Sequence, residues 1–465
     1  MPQEISRRQF LGQANCAAIS SLPILSTVLN LNLAGNAAAA TANGSDYRAL
    51  VCLFMAGGMD TFNVLVPSGS AEYAQYAAVR GKVALPQSSL LPITPQGLSG
   101  IQLGLHPGLP NVQSLFEAGN AAFLTNVGTL AEPITKTQYN SVSRHLPLGL
   151  YSHADQQEQW QTSTTNARSA KGWAGKAADL LAGLNSSHTV SMNVSLSGQN
   201  IWQSGAGSFA YSVNTGGAVA LNGYNHSSTG TNPLALRTKA VDSQLALNYQ
   251  NLLAQSFNSG KARAMNAFAQ YNSATSQPLS NEAAYPNTNL ASQLKRVAKT
   301  IAGRDSLGHK RQTFFIEYGG WDHHDKLISS QARMLPEVDA AIKAFFDSLA
   351  SLGMQNNVTL FTASDFARTL NTDSEGTDHA WGGNHLVVGG AVKGRKVYGS
   401  FPSLAPDNPL DVGRGRLIPQ IAVDSYFAEM ALWLGVSRSD LKLLLPNIGN
   451  FYASNNSSAP LGFLM

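Results

Sequence analysis

The chain is poor in cysteine and in charge, and each shortage excludes a class of protein. Only two cysteines occur among the 465 residues, and Cys16 lies in an N-terminal segment that we expect to be removed as a leader, so the mature chain is expected to keep Cys52 alone. A disulfide within the mature chain is therefore excluded, and Cys52 is expected to be a buried thiol in an apolar segment. Charged residues make up 12% of the chain. Because the lysines and arginines are scattered, no basic stripe is available for nucleic acid.

The chain also lacks a long, uninterrupted apolar run. The most apolar stretch near the N-terminus, "AAISSLPILSTVLNLNLAG", is broken by serines, asparagines and Pro23. It is too short and too polar for a stable membrane span. Cys16 is preceded by "QAN", which is not the small-residue context of a lipoprotein cysteine. We therefore expect no stable membrane anchor.

The N-terminus has the features of a twin-arginine export signal. "SRRQFLGQ" pairs Arg7 and Arg8 with Phe10 and Leu11, and a weak apolar stretch and the cleavable run "NAAAATA" follow. Residues 1–40 are predicted to be a signal peptide that the twin-arginine translocase binds during export. The mature protein is expected in the bacterial periplasm or outside the cell. Loss of two arginines and one glutamate with the signal reduces the formal charge from +4 to +3.

Several apolar segments are typical of buried strands. They begin at Arg48, Ala121, Arg311, Asn357 and His385. Between the third and the fourth, "MLPEVDAAIKAFFDSLASLG" has apolar residues at helical spacing. Because strand, helix, strand is a parallel crossover, we predict an α/β fold with a doubly wound, mostly parallel sheet and helices on both faces.

The predicted α/β domain covers residues 41–465 and contains a region of different composition. Residues 195–233 are rich in glycine, serine, asparagine and threonine, which favours loops and short hairpins. Apolar residues then recur at helical spacing to about residue 301. Residues 195–305 are therefore predicted to be an inserted loop-rich and helical cap.

Acidic and imidazole side chains follow the predicted strands, where ligands of such sheets bind. Asp322 and His324 are two residues apart, so in an extended segment they point to the same side, and His323 points away. Carboxylates and imidazoles are ligands for hard and borderline cations. The sequence predicts one or two divalent ions, zinc, calcium, magnesium or manganese. For any single carboxylate or imidazole of this set, a capped loop or a solvated charge is the simpler interpretation. The candidate ligands are Asp60, Asp322, His324, Asp365, Asp378, His379 and His385.

Ser152 has two interpretations. It precedes "HADQQEQW", and Asp155 lies three residues on, as in a helix N-cap. A hydroxyl at a helix N-terminus also lies where amide groups and the helix dipole stabilise an anion. A neighbouring metal would lower its pKa and make it a nucleophile. His153 is a ligand, a substrate contact or a hydrogen-bonded structural histidine.

The loop "GTDHAWGGNH" and the segment before it supply two more candidates for substrate binding, in addition to His153. Trp381 is predicted to form a wall of the pocket, with glycines that let the backbone approach a metal or an anion. Arg368 is expected to bind an anionic substrate or, as is commoner for arginine, a neighbouring carboxylate.

Specific blocks of the chain resemble the domain-of-unknown-function 1501 family. They include "LVCLFMAGGMDTFNVLVP", "SHADQQEQW", "FFIEYGGWDHH", "VTLFTASDFARTL" and "GTDHAWGGNHLVVGGAVKGRKVYG". The family is similar to the alkaline phosphatase and sulfatase superfamily, so the resemblance implies that fold and one or two metals around a nucleophile. The resemblance assigns the first-strand metal aspartate to Asp60, the nucleophile to Ser152, the first-metal pair to Asp322 and His324, the aspartate of the next strand to Asp365, and the late histidine to His385 or His379.

The chain departs from these patterns at the candidate site. The superfamily usually has Asp-His after the fourth strand, whereas Phe366 follows Asp365, and the family more often has glutamate in place of Asp365 and glycine in place of Ala367. His323 stands where the family commonly has threonine. One metal site is therefore incomplete, or His379 substitutes from the next loop.

Two functions remain open. The first is an exported, metal-dependent hydrolase of phosphate or sulfate esters, with Ser152 as nucleophile. The alternative is a non-catalytic protein of the same fold that binds a metal or a glycan or acts in assembly. The predicted partner, besides the translocase, is a small anionic ester or a glycan substrate.

Overall fold

A computed structural model describes residues 47–225, 227–372, 374–453 and 455–464. The predicted signal peptide lies outside these residues. The strands are β1 Arg48–Met55, β2 Leu65–Pro67, β3 Leu91–Ile93, β4 Leu103–Leu105, β5 Ala121–Gly128, β6 Asn193–Ser195, β7 Tyr211–Asn214, β8 Gly217–Ala218, β9 Arg311–Glu317, β10 Val358–Ser364, β11 Gly383–Val388, β12 Lys396–Tyr398 and β13 Ile421–Ala422. The helices are α1 Ser70–Arg80, α2 Pro110–Glu117, α3 Lys136–Asn140, α4 His153–Thr162, α5 Trp173–Leu181, α6 Pro233–Leu245, α7 Leu252–Ala274, α8 Asn289–Ala302, α9 Arg304–Leu307, α10 Leu327–Ser351, α11 Val423–Leu434 and α12 Leu441–Leu444.

The main sheet is large and mostly parallel. Its order is β12, β5, β11, β10, β1, β9, β6, β7, β8, and β13 pairs with β5. β1 is parallel to both β9 and β10, so the predicted crossover from β9 through α10 to β10 passes over β1. β11 is antiparallel to β10 and to β5, and β8 is antiparallel to β7. The predicted α/β class and mostly parallel sheet are confirmed, and the antiparallel strands make the sheet mixed.

Helices cover both faces of the sheet at β1. Val51 and Leu53 belong to a core that also contains side chains of α8 and α10. Cys52 and Phe54 point to a second core that contains side chains of α5 and α11. This explains the continuous apolar run of β1, since a strand buried on both faces has no solvent side. Cys52 is the buried free thiol that the sequence predicted.

The helix predicted between the third and fourth strands is α10. Its apolar residues, including Leu335, Val338 and Ile342, are buried. It ends before Gly353, whose φ of 66° lies in the left-handed region that glycine adopts readily. None of the helices in the described part of the chain is long and apolar enough to cross a membrane.

The region predicted as an insert lies between β6 and β9, which are neighbours in the sheet. The segment with apolar residues at helical spacing forms more than one helix. The first, α6, ends at Leu245, and α7 begins after Asn251, whose side chain caps α7. Leu290, Leu294 and other residues of α8 are buried in the same core as α10. That last helix is therefore part of the main core. The boundaries at residues 195 and 305 stay a prediction.

Two buried carboxylates on helices bind the backbone of segments that are distant in sequence. Asp339 on α10 accepts a hydrogen bond at 2.8 Å from the amide of Val112, in the first turn of α2. Glu429 on α11 accepts bonds from the amides of Leu461 and Leu464, each at 3.0 Å. Both side chains are less than 4% exposed. They satisfy backbone donors that the local structure leaves without partners.

Candidate metal centre

The candidate site lies where β1, β9 and β10 reach their carboxyl ends. β1 is followed by Gly57 and Gly58, whose φ angles are 118° and 76°. A Cβ atom on Gly57 would lie 2.6 Å from the amide nitrogen of Asp322, so glycine allows the turn to contact the loop after β9. The amide of Gly57 also donates to Oδ1 of Asp365, which follows β10, at 3.0 Å. The turn thus connects the ends of three strands.

Asp322 is the carboxylate on which the site converges. Arg368 Nη2 donates to its Oδ1, and His324 Nε2 lies 3.0 Å from the same oxygen. His153 Nε2 lies 3.5 Å from Oδ2. Partial burial opposes ionisation, but the hydrogen bond and charge of Arg368 hold the pKa of Asp322 below its usual value. The carboxylate is therefore ionised at neutral pH while its side chain remains 45% exposed.

His379 presents a defined ring nitrogen to this carboxylate. Its Nδ1 lies 2.8 Å from the carbonyl oxygen of Tyr151. Because a carbonyl can only accept, Nδ1 carries the proton and Nε2 of the neutral ring keeps its lone pair. Nε2 lies 3.5 Å from Oδ1 of Asp322 and 3.0 Å from Nε2 of His324. Burial lowers the pKa of His379, which favours the neutral imidazole.

His153, the first residue of α4, is oriented in the same way by a carboxylate. Its Nδ1 lies 2.6 Å from Oδ2 of Asp365. Asp365 is fully buried and also accepts bonds from the side chain of Gln157 at 2.9 Å and from the amide of Gly57. Asp365 therefore acts as an anchor, which leaves Nε2 of His153 directed at Asp322.

The converging side chains are a donor set suited to a divalent cation. Ligand atoms of His153, Asp322 and His379 lie within 4.8 Å of one another, and His324 reaches the same carboxylate. Neutral imidazole and carboxylate are ligands that zinc and similar ions take. Histidines that bind metals also commonly donate their second nitrogen to a carboxylate or carbonyl, as His153 and His379 do here. These four residues would hold the metal.

Asp378, another predicted ligand, lies beside His324 and His379. Its Oδ2 is already bound by Arg414 Nη1 at 2.8 Å and by Arg416 Nη2 at 3.2 Å. Partial burial opposes ionisation, but the amide of His379 and the two arginines lower the pKa of Asp378. The carboxylate therefore connects the arginines to the loop that carries His379.

Ser152 occupies the N-cap position of α4 but does not cap it through its side chain. The preceding residue, Tyr151, has a φ of 74°, an uncommon conformation for a residue other than glycine. The first intrahelical bond joins the amide of Gln156 to the carbonyl of Ser152 at 2.9 Å. The three amides before it point out of the helix end, as they do at anion sites. The role of Ser152 as nucleophile stays a prediction.

Two predicted ligands do not join the cluster. Asp60 is fully buried, and its Oδ2 accepts bonds from Arg80 Nη2 at 2.6 Å and from the hydroxyl of Thr377 at 3.2 Å. His385 is buried against Trp160, with ring centroids 4.6 Å apart. Burial lowers the pKa of His385 to about 3. Neither belongs to the described groups of side chains whose ligand atoms converge.

The predicted substrate contacts Arg368 and Trp381 are engaged within the protein. Arg368 is buried and donates to the carbonyls of Gly58 at 2.6 Å and Thr377 at 3.0 Å as well as to Asp322. Of its two predicted roles, Arg368 therefore has the second, which is pairing with a neighbouring carboxylate. Trp381 is 1% exposed in a small core and donates to the carbonyl of Thr129 at 2.7 Å. Neither side chain is positioned as a free wall of the site.

Sequence reasoning missed three residues that support the histidines: Tyr151, Gln157 and Phe366. The ring of Phe366 lies 4.8 Å from that of His153 and 4.5 Å from that of His379, measured between centroids. In the sequence, Phe366 is a departure from the Asp-His pattern that the resemblance implies. This departure was the one available signal. The Tyr151 carbonyl and the Gln157 amide left no signal, because their partners are more than 200 residues away.

Comparison with known proteins identifies the family. A family model described as "Protein of unknown function (DUF1501)" matches residues 47–414. The chain belongs to the DUF1501 family. The resemblance stated from the sequence is confirmed, and the matched region includes every residue of the candidate centre. A search of curated proteins gave no match.

Two solved structures are similar to this chain at low scores. The structure of Ps i-CgsB in complex with k-i-k-neocarrahexaose has 10% sequence identity to this chain and a TM-score of 0.36. The match covers 86% of this chain and 74% of that structure's chain. The sulfatase PsFucS1 from Pseudoalteromonas sp. is 11% identical, covers 88% of this chain and 71% of its own, and has a TM-score of 0.31. At these scores the likeness is faint.

Proposed function

We propose that the chain is an exported, metal-dependent hydrolase of phosphate or sulfate esters. The observation that carries the proposal is the group of imidazoles around the carboxylate of Asp322. His153, His324 and His379 each bring Nε2 within 3.5 Å of one of its oxygens. The group lies beside the amino end of α4, where an anionic ester would meet both the cation ligands and the helix amides.

A divalent cation bound by these residues would lower the pKa of a neighbouring hydroxyl and offset negative charge on the ester. Ser152 is the hydroxyl proposed to attack, because it stands directly before His153. The amides of His153, Ala154 and Asp155 precede the first intrahelical bond of α4. They are proposed to stabilise the ester oxygens as negative charge develops on them.

The surrounding residues hold the ligands in place. Arg368 binds Asp322 from a buried position, which fixes the orientation of the carboxylate. Asp365 and the carbonyl of Tyr151 fix the tautomers of the two anchored histidines. Such preorganisation matters because catalytic groups displaced by about 1 Å lose much of their effect.

The same contacts favour the alternative function in one respect. Oδ1 of Asp322 is shared with Arg368, and Asp365 already accepts three hydrogen bonds. One available carboxylate is a small number for a two-metal hydrolase. A protein of this family that binds one metal without turnover is therefore the second candidate.

Metal content tests both functions. The folded mature protein and its Asp322→Asn and His379→Ala variants are purified. Elemental analysis then measures the zinc, calcium, magnesium and manganese content of each. Asp325→Asn and His145→Ala are matched controls, since both residues are exposed and lie outside the cluster. We expect about one equivalent of metal in the parent and controls, and a loss in the two cluster variants. A parent without stoichiometric metal would contradict both functions.

Turnover then separates the two candidates. The metal-loaded protein is incubated with phosphomonoesters, phosphodiesters and sulfate esters, and the released phosphate or sulfate is measured. A hydrolase loses turnover in Ser152→Ala by a factor of about a thousand or more while it keeps its metal. Stoichiometric metal without turnover of any ester class would support the binding protein, and turnover that survives Ser152→Ala would remove the serine from the mechanism.

A further inference from the structure

A second concave site lies at the other end of the sheet. A cavity of about 630 Å³ is lined by residues 185 and 187–192, by the end of α5 and by one face of α7. Met192 directly precedes β6, which is parallel to β9. The cavity is therefore at the amino ends of these strands, whereas the candidate metal centre is at the carboxyl ends. Its volume lies in the range of small-molecule sites.

Two aromatic side chains, Phe209 and Tyr211, face this cavity. Phe209 is 64% exposed. Tyr211 is held by packing against Tyr271, with ring centroids 5.6 Å apart. A large aromatic ring exposed in a concave site offers an apolar platform, and the C–H face of a sugar ring is a fitting partner for it.

The polar lining favours a negatively charged ligand. Arg263 on α7 lines the cavity, is exposed, and has no ion pair or hydrogen bond within the described part of the chain. The lining carboxylate, Asp179, is occupied, since its oxygens accept the amides of Ala206 and Gly207. Ser187 and Thr189 add hydroxyl groups. The cavity therefore combines a guanidinium group, hydroxyls and an aromatic platform.

We propose that this cavity binds a saccharide unit that carries a sulfate or a carboxylate group. Phe209 would pack against the sugar ring, and Arg263 would bind the acidic group with charge-assisted hydrogen bonds. This site is independent of the metal centre. It would keep an acidic glycan on the protein whether or not the centre hydrolyses esters.

Isothermal titration calorimetry tests the proposal with three probes: a sulfated disaccharide, digalacturonate and maltose. The full mature protein is titrated at physiological salt, to screen unspecific attraction of acidic probes to its small net positive charge. We expect one site for at least one acidic disaccharide and none for maltose. The acidic probe that binds more tightly identifies the preferred group.

Variants locate the binding. Arg263→Ala and Phe209→Ala should each raise the dissociation constant by about tenfold or more, since each removes a principal contact. Lys261→Ala on the same helix and Leu253→Ala, exposed and outside the cavity, should change it by less than about twofold. Asp322→Asn should leave it unchanged, which separates this site from the metal centre. Equal binding of maltose, equal losses in Lys261→Ala and Arg263→Ala, or no binding of any probe would overturn the proposal.

Discussion

The buried carboxyl group of Asp424 should make the stability of the protein fall as the pH rises. Asp424 lies at the start of α11, is fully buried, and has a pKa raised by burial from 3.8 to about 7, although the hydroxyl of Ser163 and the charge of Lys176 oppose the shift. The unfolded chain releases this proton near pH 4, whereas the folded chain keeps it until about pH 7. The free energy of unfolding therefore decreases across that interval and stays low above it.

The magnitude follows from the size of the shift. A change of about 3 pKa units corresponds to about 4 kcal/mol between the two ends of the interval. Between about pH 5.5 and pH 8 the folded carboxyl group accounts for about 2 kcal/mol of lost stability, because it is still mostly protonated at the lower pH and mostly ionised at the higher. Asp424→Asn keeps the shape of the side chain and removes this pH-dependent contribution to the free energy of unfolding.

Urea unfolding of the parent and of Asp424→Asn at the two pH values is the assay. The stability of the variant relative to the parent should rise by about 2 kcal/mol from the lower to the higher pH. Buried histidines, such as His106 and His309, whose pKa values burial lowers to about 4, affect both proteins equally and cancel. The exposed Asp407→Asn variant should show no such rise. A relative stability of Asp424→Asn that is equal at the two pH values would refute the reasoning.

Three further predictions concern side chains that fasten neighbouring segments. Asp339→Ala removes the cap of α2 and should lower the free energy of unfolding by about 2 kcal/mol, measured with urea; a change below about 0.5 kcal/mol would contradict it. Glu429→Gln removes a charged acceptor, so the amides of residues 461–464 should exchange hydrogen at least about tenfold faster by mass spectrometry, with unchanged exchange in α10 as the control. Phe366→Ala removes the ring packed on two imidazoles and should weaken zinc binding by about 10–100-fold in a competition titration; unchanged zinc affinity would show that the ring does not position them.

Much of the fold could be predicted because the buried strands are continuous in sequence. The apolar runs that became β1, β9 and β10 end in glycine or acidic residues, and the helical spacing before Gly353 identified α10. The direction of β11 could not be predicted. A buried strand has the same apolar pattern whether its neighbours are parallel or antiparallel.

The candidate site was predictable in residue type but not in pairing. Asp322 and His324 follow from their spacing in one loop. Asp60 carries the same chemistry but is paired with Arg80, a partner contributed by α1 that no spacing rule identifies. The resemblance leaves the late histidine open between His385 and His379, and sequence alone does not show which of the two the fold buries. The fold buries the ring of His385 in the core, where a charged form is disfavoured.

The anchoring of the histidines by remote oxygen atoms has a consequence for folding. His153 is joined to Asp365 across 212 residues, and His379 to Tyr151 across 228 residues. Contacts of such long sequence separation form only after most of the chain has been ordered, because each closes a very large loop. The four side chains therefore have no common position in a partly folded chain, and a metal that needs all of them would bind only after the sheet is complete.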